Sequence, residues 1–200
     1  MLQSTVLSLV GDMLAQSGWK RIRKEPRFAS RLNADTEARL NYTFAHYTQP
    51  ARVHVDPYLE VFHRGIEEAR NFITGRTLYT VSEQVQYLMN DPGAHFRWMF
   101  VDGENMEVVA SGLVADCLQY APSFFCQFNT LDDIIQYLEL RAKGKRTIMR
   151  QSLAIAYCLA GRLEDARQVL SDDVAAKSNP VDVASQQLPR YTELFGLRFD

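Results

Sequence analysis

The stretch LNYTFAHYTQPARVHVDPYLEVF, residues 40–62, decides the fold. From Leu40 to the break at Gln49-Pro50, apolar and aromatic residues alternate with more polar ones, and a second alternation starts at Val53. Successive side chains of a strand point to opposite faces of a sheet, so each alternation predicts a strand. Two such strands joined by a short break predict an antiparallel hairpin.

The register of this hairpin follows if Gln49-Pro50 is the loop. Counting back from that loop pairs Phe44 with Val55 and Leu40 with Leu59, which puts both apolar sets on one face. The opposite face carries three residues with polar tips: His54, Tyr58 and Glu60. If no helix covers it, this opposite face is a candidate partner surface.

The segment before the hairpin predicts one helix and a smaller hairpin. Residues 2–16 carry apolar side chains at three- and four-residue spacing, which is typical of a helix packed on a core. Residues 18–32 alternate over two short runs with a break at Pro26, and residues 33–35 predict a turn. These runs add strands to the same sheet.

The segment after the hairpin predicts a helix, a strand with a short helix, and a last strand. The helix ends at Gly75, and its expected inner face is Ile66, Ala69, Phe72 and Ile73. Residues 78–81 predict a strand, followed by a short helix that Ser82 could cap. After a turn at Asp91-Pro92-Gly93, residues 95–101 predict a strand with Phe96, Trp98 and Phe100 on one side.

From Asp102 onward the spacing predicts helices only. The first covers residues 104–120 and is broken by Pro122, and Asn129 or Thr130 caps the next. Residues 146–160 predict a helix with an apolar stripe that includes Leu159, and a last helix opens at Pro180 and is interrupted by Pro189. The words AYCLAGRLEDARQVL resemble one tetratricopeptide-like helical hairpin.

These elements predict an α+β protein. It has an antiparallel sheet of four to six strands with helices on one face, and a helical C-terminal half. We expect residues 1–144 to form the α+β body and residues 145–200 to form a helical annex packed on it.

Composition limits the classes of function. A net charge of −2 and a pI near 6.1 argue against nucleic acid or an anionic membrane as the partner of the whole protein. No run reaches the roughly 18 apolar residues of a membrane span, and the N-terminus lacks the basic start of a signal peptide. Three cysteines among apolar neighbours predict buried thiols in a reducing compartment: Cys117, Cys126 and Cys158. We therefore expect a cytoplasmic protein.

No motif of a known catalytic or metal site occurs. Nucleophile elbows, phosphate-binding glycine loops and closely spaced metal ligands are absent from the sequence, and the register puts His46 and His54 on opposite faces. Adjacent carboxylates occur three times; Glu67-Glu68 and Asp172-Asp173 predict solvated faces, and Asp132-Asp133 predicts a helix N-terminus. We expect no cofactor and no metal.

One local charge cluster interrupts the balanced composition. Six basic residues stand against Glu25 alone, with Trp19 and Phe28 among them: Lys20, Arg21, Arg23, Lys24, Arg27 and Arg31. This cluster fits a sheet edge guarded by cations against aggregation. It also fits a surface for an acidic protein and, less well, for nucleic acid.

The chain has a leading helix followed by GWKRIRK, then RFASRL, a long hairpin, a strand with FRW and the closing helix TLDDIIQYL. This order of elements resembles a bacterial domain-of-unknown-function family, number 4304. The resemblance covers about residues 2–140. It implies no catalytic residues, and it implies by analogy an immunity protein against contact-delivered toxins.

The sequence thus predicts a non-enzymatic protein-binding protein, most concretely a bacterial immunity protein that neutralises a toxin by binding and occluding it. The expected contact residues are the six basic residues together with His54, Tyr58 and Glu60. Two alternatives stay open. One is an enzyme or nucleic-acid-acting protein whose site converges from His46, His95 and distant carboxylates, and the other is a scaffold that binds peptides in the helical annex.

Overall fold

The computed structural model describes residues 2–22, 25–48, 51–89, 97–102, 104, 106–142, 147–175 and 186–199. Several predictions from the sequence concern residues outside these ranges. They are the Gln49-Pro50 loop, the Asp91-Pro92-Gly93 turn, the roles of His95 and Phe96, the helix start at Pro180, and the basic residues Arg23 and Lys24.

The described residues confirm an α+β fold with an antiparallel sheet. Its six strands are β1 (Lys20–Arg21), β2 (Arg27–Arg31), β3 (Thr36–Thr48), β4 (Ala51–His63), β5 (Val81–Gln84) and β6 (Met99–Val101). The order across the sheet is β1-β2-β3-β4-β5, and β6 pairs with β4. The strand count lies within the predicted range, and β1 lies at one end of the order.

Helices make up most of the rest of the described chain. They are α1 (Leu2–Gln16), α2 (Arg64–Thr74), α3 (Val85–Leu88), α4 (Met106–Phe125), α5 (Leu131–Ala142), α6 (Thr147–Leu159), α7 (Leu163–Ala175) and α8 (Leu188–Phe195). The C-terminal half is helical, as predicted.

The chain divides into two compact units that interleave in sequence. The first comprises residues 1–61 and 82–126, and the second comprises residues 62–81 and 127–200. The first unit holds nearly all of the sheet with α1, α3 and α4. The second unit holds α2 and the helices from α5 onward. The predicted boundary at residue 144 lies outside the described residues and stays a prediction.

The central hairpin forms the apolar floor of the first unit. The buried apolar side chains of its inner face are at most 2% exposed and follow the predicted alternation: Ala38, Leu40, Tyr42, Val53, Val55, Leu59 and Val61. Phe44 is half-buried and His46 is exposed, so burial fades toward the loop end of β3. The strands and their inner face are therefore confirmed, and the residue-by-residue pairing of β3 with β4 stays a prediction.

Trp98 docks on α4 and directly precedes β6, which begins at Met99, so the strand does not include residues 97 and 98, contrary to the prediction. Trp98 and Phe100 are both buried, as the alternation predicted. The indole Nε1 of Trp98 donates to Asp116 Oδ2 at 3.1 Å, and Arg97 Nε lies 2.9 Å from the same oxygen. This arrangement satisfies a polar atom that a buried tryptophan would otherwise leave unpaired.

Local signals placed several helix ends correctly. Gly75 adopts a left-handed conformation with φ of 72° and ends α2, where its N–H donates to Asn71 O. Thr130 Oγ1 accepts from Asp133 N, and Asp133 Oδ2 accepts from Thr130 N, which forms a capping box at the start of α5. Such caps need only residues three or four positions apart, so the sequence alone reveals them.

One prediction about a proline was wrong, because Pro122 lies inside α4 rather than ending it. Pro189 lies in the first turn of α8, and the opening at Pro180 of the helix that it was predicted to interrupt lies outside the described residues. Proline in a first turn needs no N–H donor, so its position there is unstrained. In α4, the buried aromatic residues Phe124 and Phe125 lie just beyond Pro122, and their packing favours continuation of the helix.

Three smaller predictions also need correction. Residue Val81 begins β5 instead of ending a strand, and Ser82 lies within β5 rather than at a helix cap. Phe72 is 42% exposed and Leu159 is 39% exposed, although both were expected on inner helix faces. Each lies at the margin of an apolar stripe, where spacing alone cannot tell inside from outside.

Helix α4 is apolar enough in length and composition to cross a membrane, contrary to the expectation that no such stretch exists. Its hydropathy averages 1.2 over an 18-residue window, and 44% of that window is buried. Its partners in the first unit are α1, α3 and β6. This burial fits the core helix of a soluble protein, because core helices pass the same test of length and composition.

Candidate protein-binding surfaces

The basic edge, defined here as Lys20 and Arg21 of β1, lies at one end of the sheet order. Both residues are exposed, and they pair with Ala29 and Phe28 of β2 in antiparallel register. Within the described residues, neither side chain forms an ion pair. Two exposed cations therefore lie on the terminal strand of the described sheet, a position at which a segment of another protein can add.

The other described basic residues of the cluster are engaged within the chain. Arg27 Nη1 lies 3.0 Å from Glu25 Oε2, and its Nε lies 3.8 Å from Glu60 Oε2. Arg31 is exposed and its Nε donates to the carbonyl of Asn33 at 2.9 Å. These contacts leave Lys20 and Arg21 as the more available charges among the four that the structure describes.

A cavity of about 380 Å³ adjoins the basic edge. Its lining consists of Lys20 and Arg21 of β1, Trp19, and the α1 residues Leu7, Ser8, Gly11, Asp12 and Ala15. The helix approaches the sheet closely here, since a Cβ at Gly11 would lie 3.2 Å from Phe28 Cε1. The edge thus combines two exposed cations with a depression able to take an apolar side chain.

The three residues on the opposite face of β4 are mostly enclosed. His54 is 6% exposed and Glu60 is 1% exposed, whereas Tyr58 is half-buried. Glu60 Oε1 accepts from Asn41 Nδ2 at 2.9 Å, and His54 Nδ1 lies 3.7 Å from Asp56 Oδ2. The structure therefore does not bring His54 and Glu60 onto an exposed surface with the basic edge.

A buried ion pair occupies the core of the second unit, where a solvated face was predicted. Glu67 and Arg70, one helical turn apart on α2, are each 1% exposed and are bonded through Arg70 Nη1. Glu67 also accepts from Leu78 N and from Thr80 Oγ1, both at 3.0 Å. The expectation of a solvated Glu67 was wrong, because partners beyond the helix satisfy its carboxylate.

Arg70 reaches further into the same unit. Its Nη1 donates to the carbonyl of Tyr79 at 2.8 Å, and its Nη2 donates to Ser152 Oγ on α6. Ser152 Oγ in turn donates to Ile148 O at 3.0 Å. The sequence signal for this cluster was weak. Glu67 and Arg70 each directly follow a buried apolar residue, Ile66 and Ala69, so the helical spacing was compatible with an inward orientation of both charges.

Asp173 is a second carboxylate whose predicted exposure was wrong. It is 3% exposed on α7, and Arg150 Nη1 of α6 lies 3.9 Å from its Oδ1. Tyr191 of α8 is fully buried in the same unit, and burial raises the pKa of its phenol well above the usual value. Both groups serve the packing of the C-terminal helices.

An open groove of about 640 Å³ lies on α5, α6 and α7 in the second unit. Its apolar lining consists of Leu140, Leu153, Tyr157 and Val169. At one end, Tyr157 OH donates to Glu139 Oε1 at 2.6 Å, and the Arg162 guanidinium stacks 4.3 Å above the Tyr157 ring. The tetratricopeptide-like sequence segment lies in α6 and α7, and α5 supplies the third wall of the groove.

The thiols differ from the prediction at one position. Cys117 and Cys158 are buried, but Cys126 is exposed, and none of the three forms a disulfide within the described residues. Burial raises the pKa of the Cys117 and Cys158 thiols to about 12. At neutral pH both thiols therefore stay protonated, and a protonated thiol is a poor nucleophile.

No group of three or more potential metal ligands converges among the described residues. Of the two histidines proposed for a distant enzymatic site, His46 is exposed at the far end of β3, and His95 lies outside the described ranges. What the described part of the chain offers is therefore two surfaces, the basic edge and the groove.

Comparisons with known proteins leave the class open. No family model matches the chain, and neither a curated protein nor a solved structure matches it. The resemblance to domain-of-unknown-function family 4304 accordingly stays a prediction from the sequence.

Proposed function

We propose that this chain is a non-enzymatic protein-binding protein, most concretely a bacterial immunity protein that neutralises a toxin by direct binding and occlusion. The observation that carries the proposal is the basic edge. Lys20 and Arg21 are exposed at the end of the sheet, and no ion pair to either is found among the described residues.

The partner segment is acidic and carries one apolar side chain. Opposite charge speeds encounter, and the backbone edge of β1 offers hydrogen bonds to an added strand. The cavity beside the edge, with Leu7 and Trp19 in its lining, receives the apolar side chain. Occlusion then needs no reacting group in the chain, in keeping with the buried thiols of Cys117 and Cys158, which stay protonated. The protein would act in the cytoplasm.

The test is rescue of bacterial growth against the product of the neighbouring gene. We expect the wild-type chain to restore growth and the variant Lys20→Glu/Arg21→Glu to fail, because charge reversal repels an acidic segment. The matched control is Arg76→Glu/Arg198→Glu, which reverses two exposed charges in the other unit and should still rescue growth.

A direct binding measurement, together with circular dichroism, distinguishes loss of the contact surface from loss of the fold. The wild-type complex should form more slowly as salt rises, since screening weakens steering between opposite charges. A harmless neighbouring product would contradict the immunity role. Equal binding by the wild type and the edge variant, with unchanged circular dichroism, would contradict the basic edge as the contact surface.

A further inference from the structure

The groove on α5, α6 and α7 is a second surface, independent of the basic edge. Leu140 is 75% exposed and adjoins the other apolar side chains that line the groove, so it belongs to an apolar patch rather than standing alone on the surface. Leu153 and Tyr157 lie in the same groove at 3% and 6% exposure, so they form its floor while Leu140 stands at its rim. The volume of about 640 Å³ lies within the usual range of binding clefts.

The charges around the groove are unevenly compensated. Arg150 faces Asp173 at 3.9 Å, and Arg162 lies 2.7 Å from Asp165 and 3.5 Å from Glu139. Each of these two cations therefore already has a carboxylate neighbour. Asp172 receives a hydrogen bond from Gln168 Nε2 at 2.9 Å, and within the described ranges it forms no ion pair. Among the described residues that line the groove, the uncompensated charge is that of Asp172 and is negative.

We infer that this groove binds a cationic amphipathic helix of a partner protein. Leucine-like side chains at helical spacing would cover Leu140 and rest on Leu153 and Tyr157, and a lysine or arginine on the flanking turn would face Asp172. A helix fits better than a strand, because the groove is built from three helices and offers no backbone edge for strand addition.

The test uses full-length protein and a fluorescein-labelled synthetic peptide of about 18 residues, with leucines at helical spacing and lysines elsewhere. Binding is measured by fluorescence anisotropy at physiological salt. We expect Leu140→Ser to weaken binding about tenfold, since it removes the apolar contact at the rim. Asp172→Lys should weaken it about threefold, because an exposed ion pair contributes modestly.

Matched variants and peptides decide the outcome. Leu194→Ser and Glu193→Lys change an exposed leucine and an exposed acid on α8, outside the groove, and should bind the peptide as the wild type does. A peptide of the same composition in scrambled order, and one with glutamate in place of lysine, should bind at least tenfold more weakly.

Equal affinity for the ordered and scrambled peptides would overturn the inference, as would unchanged affinity in both groove variants. Circular dichroism checks each variant first. If Leu140→Ser does not fold, Asp172→Lys and the pair of lysine and glutamate peptides decide the question by themselves. None of these results depends on the basic edge or on a toxin.

Discussion

At the scale of single residues, the most informative side chains are buried charges. Glu67 and Arg70 are each 1% exposed, and their contacts reach the segment at residues 78–80 and Ser152 on α6. Removing two charges from water is costly, and the attraction between them offsets that cost only when further hydrogen bonds complete the pair. Here the backbone of Leu78 and Tyr79 and two hydroxyls supply most of those bonds, while Arg70 Nε is buried without a hydrogen-bond partner among the described residues.

Glu67→Gln should destabilise the protein by about 3 kcal/mol, because it leaves the Arg70 guanidinium buried without a counter-charge. Urea unfolding followed by circular dichroism measures the effect. Glu68→Gln is the matched control: Glu68 is the neighbouring exposed carboxylate, and its substitution should change stability by less than about 0.5 kcal/mol. Equal unfolding midpoints for the two variants would show that the buried pair contributes no net stability.

At the scale of elements, Pro122 shows how packing overrides a local signal. A proline inside a helix removes one hydrogen bond and crowds the carbonyl four residues before it. Helix α4 nevertheless continues through Pro122 to Phe125, and its buried face includes Leu113, Cys117 and Phe124. The apolar burial beyond the proline outweighs the lost bond.

Pro122→Ala should stabilise the protein by about 2 kcal/mol, because it restores the missing donor at an exposed position with little loss of packing. Thermal unfolding measures the shift. Pro189→Ala is the control: this proline lies in the first turn of α8, where no donor is needed, so its replacement should not stabilise. Similar gains from both substitutions would contradict this account of α4.

At the scale of the whole molecule, the chain order and the two compact units do not coincide. Residues 62–81 lie between segments of the first unit but belong to the second, where α2 packs on α6 and also contacts α8. Arg190 of α8 extends this packing, since its Nη1 donates to the carbonyls of Phe72 at 2.7 Å and Ile73 at 3.2 Å near the end of α2. The second unit therefore closes only when its distant segments meet.

A fragment of residues 1–126 should aggregate and bind the dye ANS, because it keeps α2 but lacks α6. Ile66 and Ile73, which are 0% and 2% exposed in the full chain, would then face water. Size-exclusion chromatography and ANS fluorescence measure this. Within the fragment, Ile66→Ser/Ile73→Ser should lower the fluorescence, whereas in the full chain the same pair should destabilise by several kcal/mol, about 2 or more for each residue. A fragment that stays monomeric and does not bind ANS would contradict the division of the chain into two interleaved units.

Much of the fold was predictable because its signals are local. The alternation of Val53, Val55, Leu59 and Val61 identified β4, and the glycine at position 75 ended α2 as expected. The candidate surfaces were only partly predictable. Lys20 and Arg21 were found as a charge cluster, but that β1 forms the end of the sheet depends on the order of strands that are distant in sequence. As one alternative, the sequence predicted a peptide-binding groove in the helical annex, which contains α6 and α7. It did not predict that α5 would form the third wall of the groove.

The sequence by itself determined most of the helices and strands and much of their inner faces, since side-chain periodicity and caps depend on neighbours a few residues apart. Only the tertiary structure decided which polar side chains are buried. Glu67 and its equally exposed-looking neighbour Glu68 read alike in the sequence, yet one is sealed in the second unit and the other is exposed. The difference arises because a buried charge needs partners. Glu67 is paired with Arg70, and Arg70 in turn donates to Ser152, which lies 82 residues further along the chain.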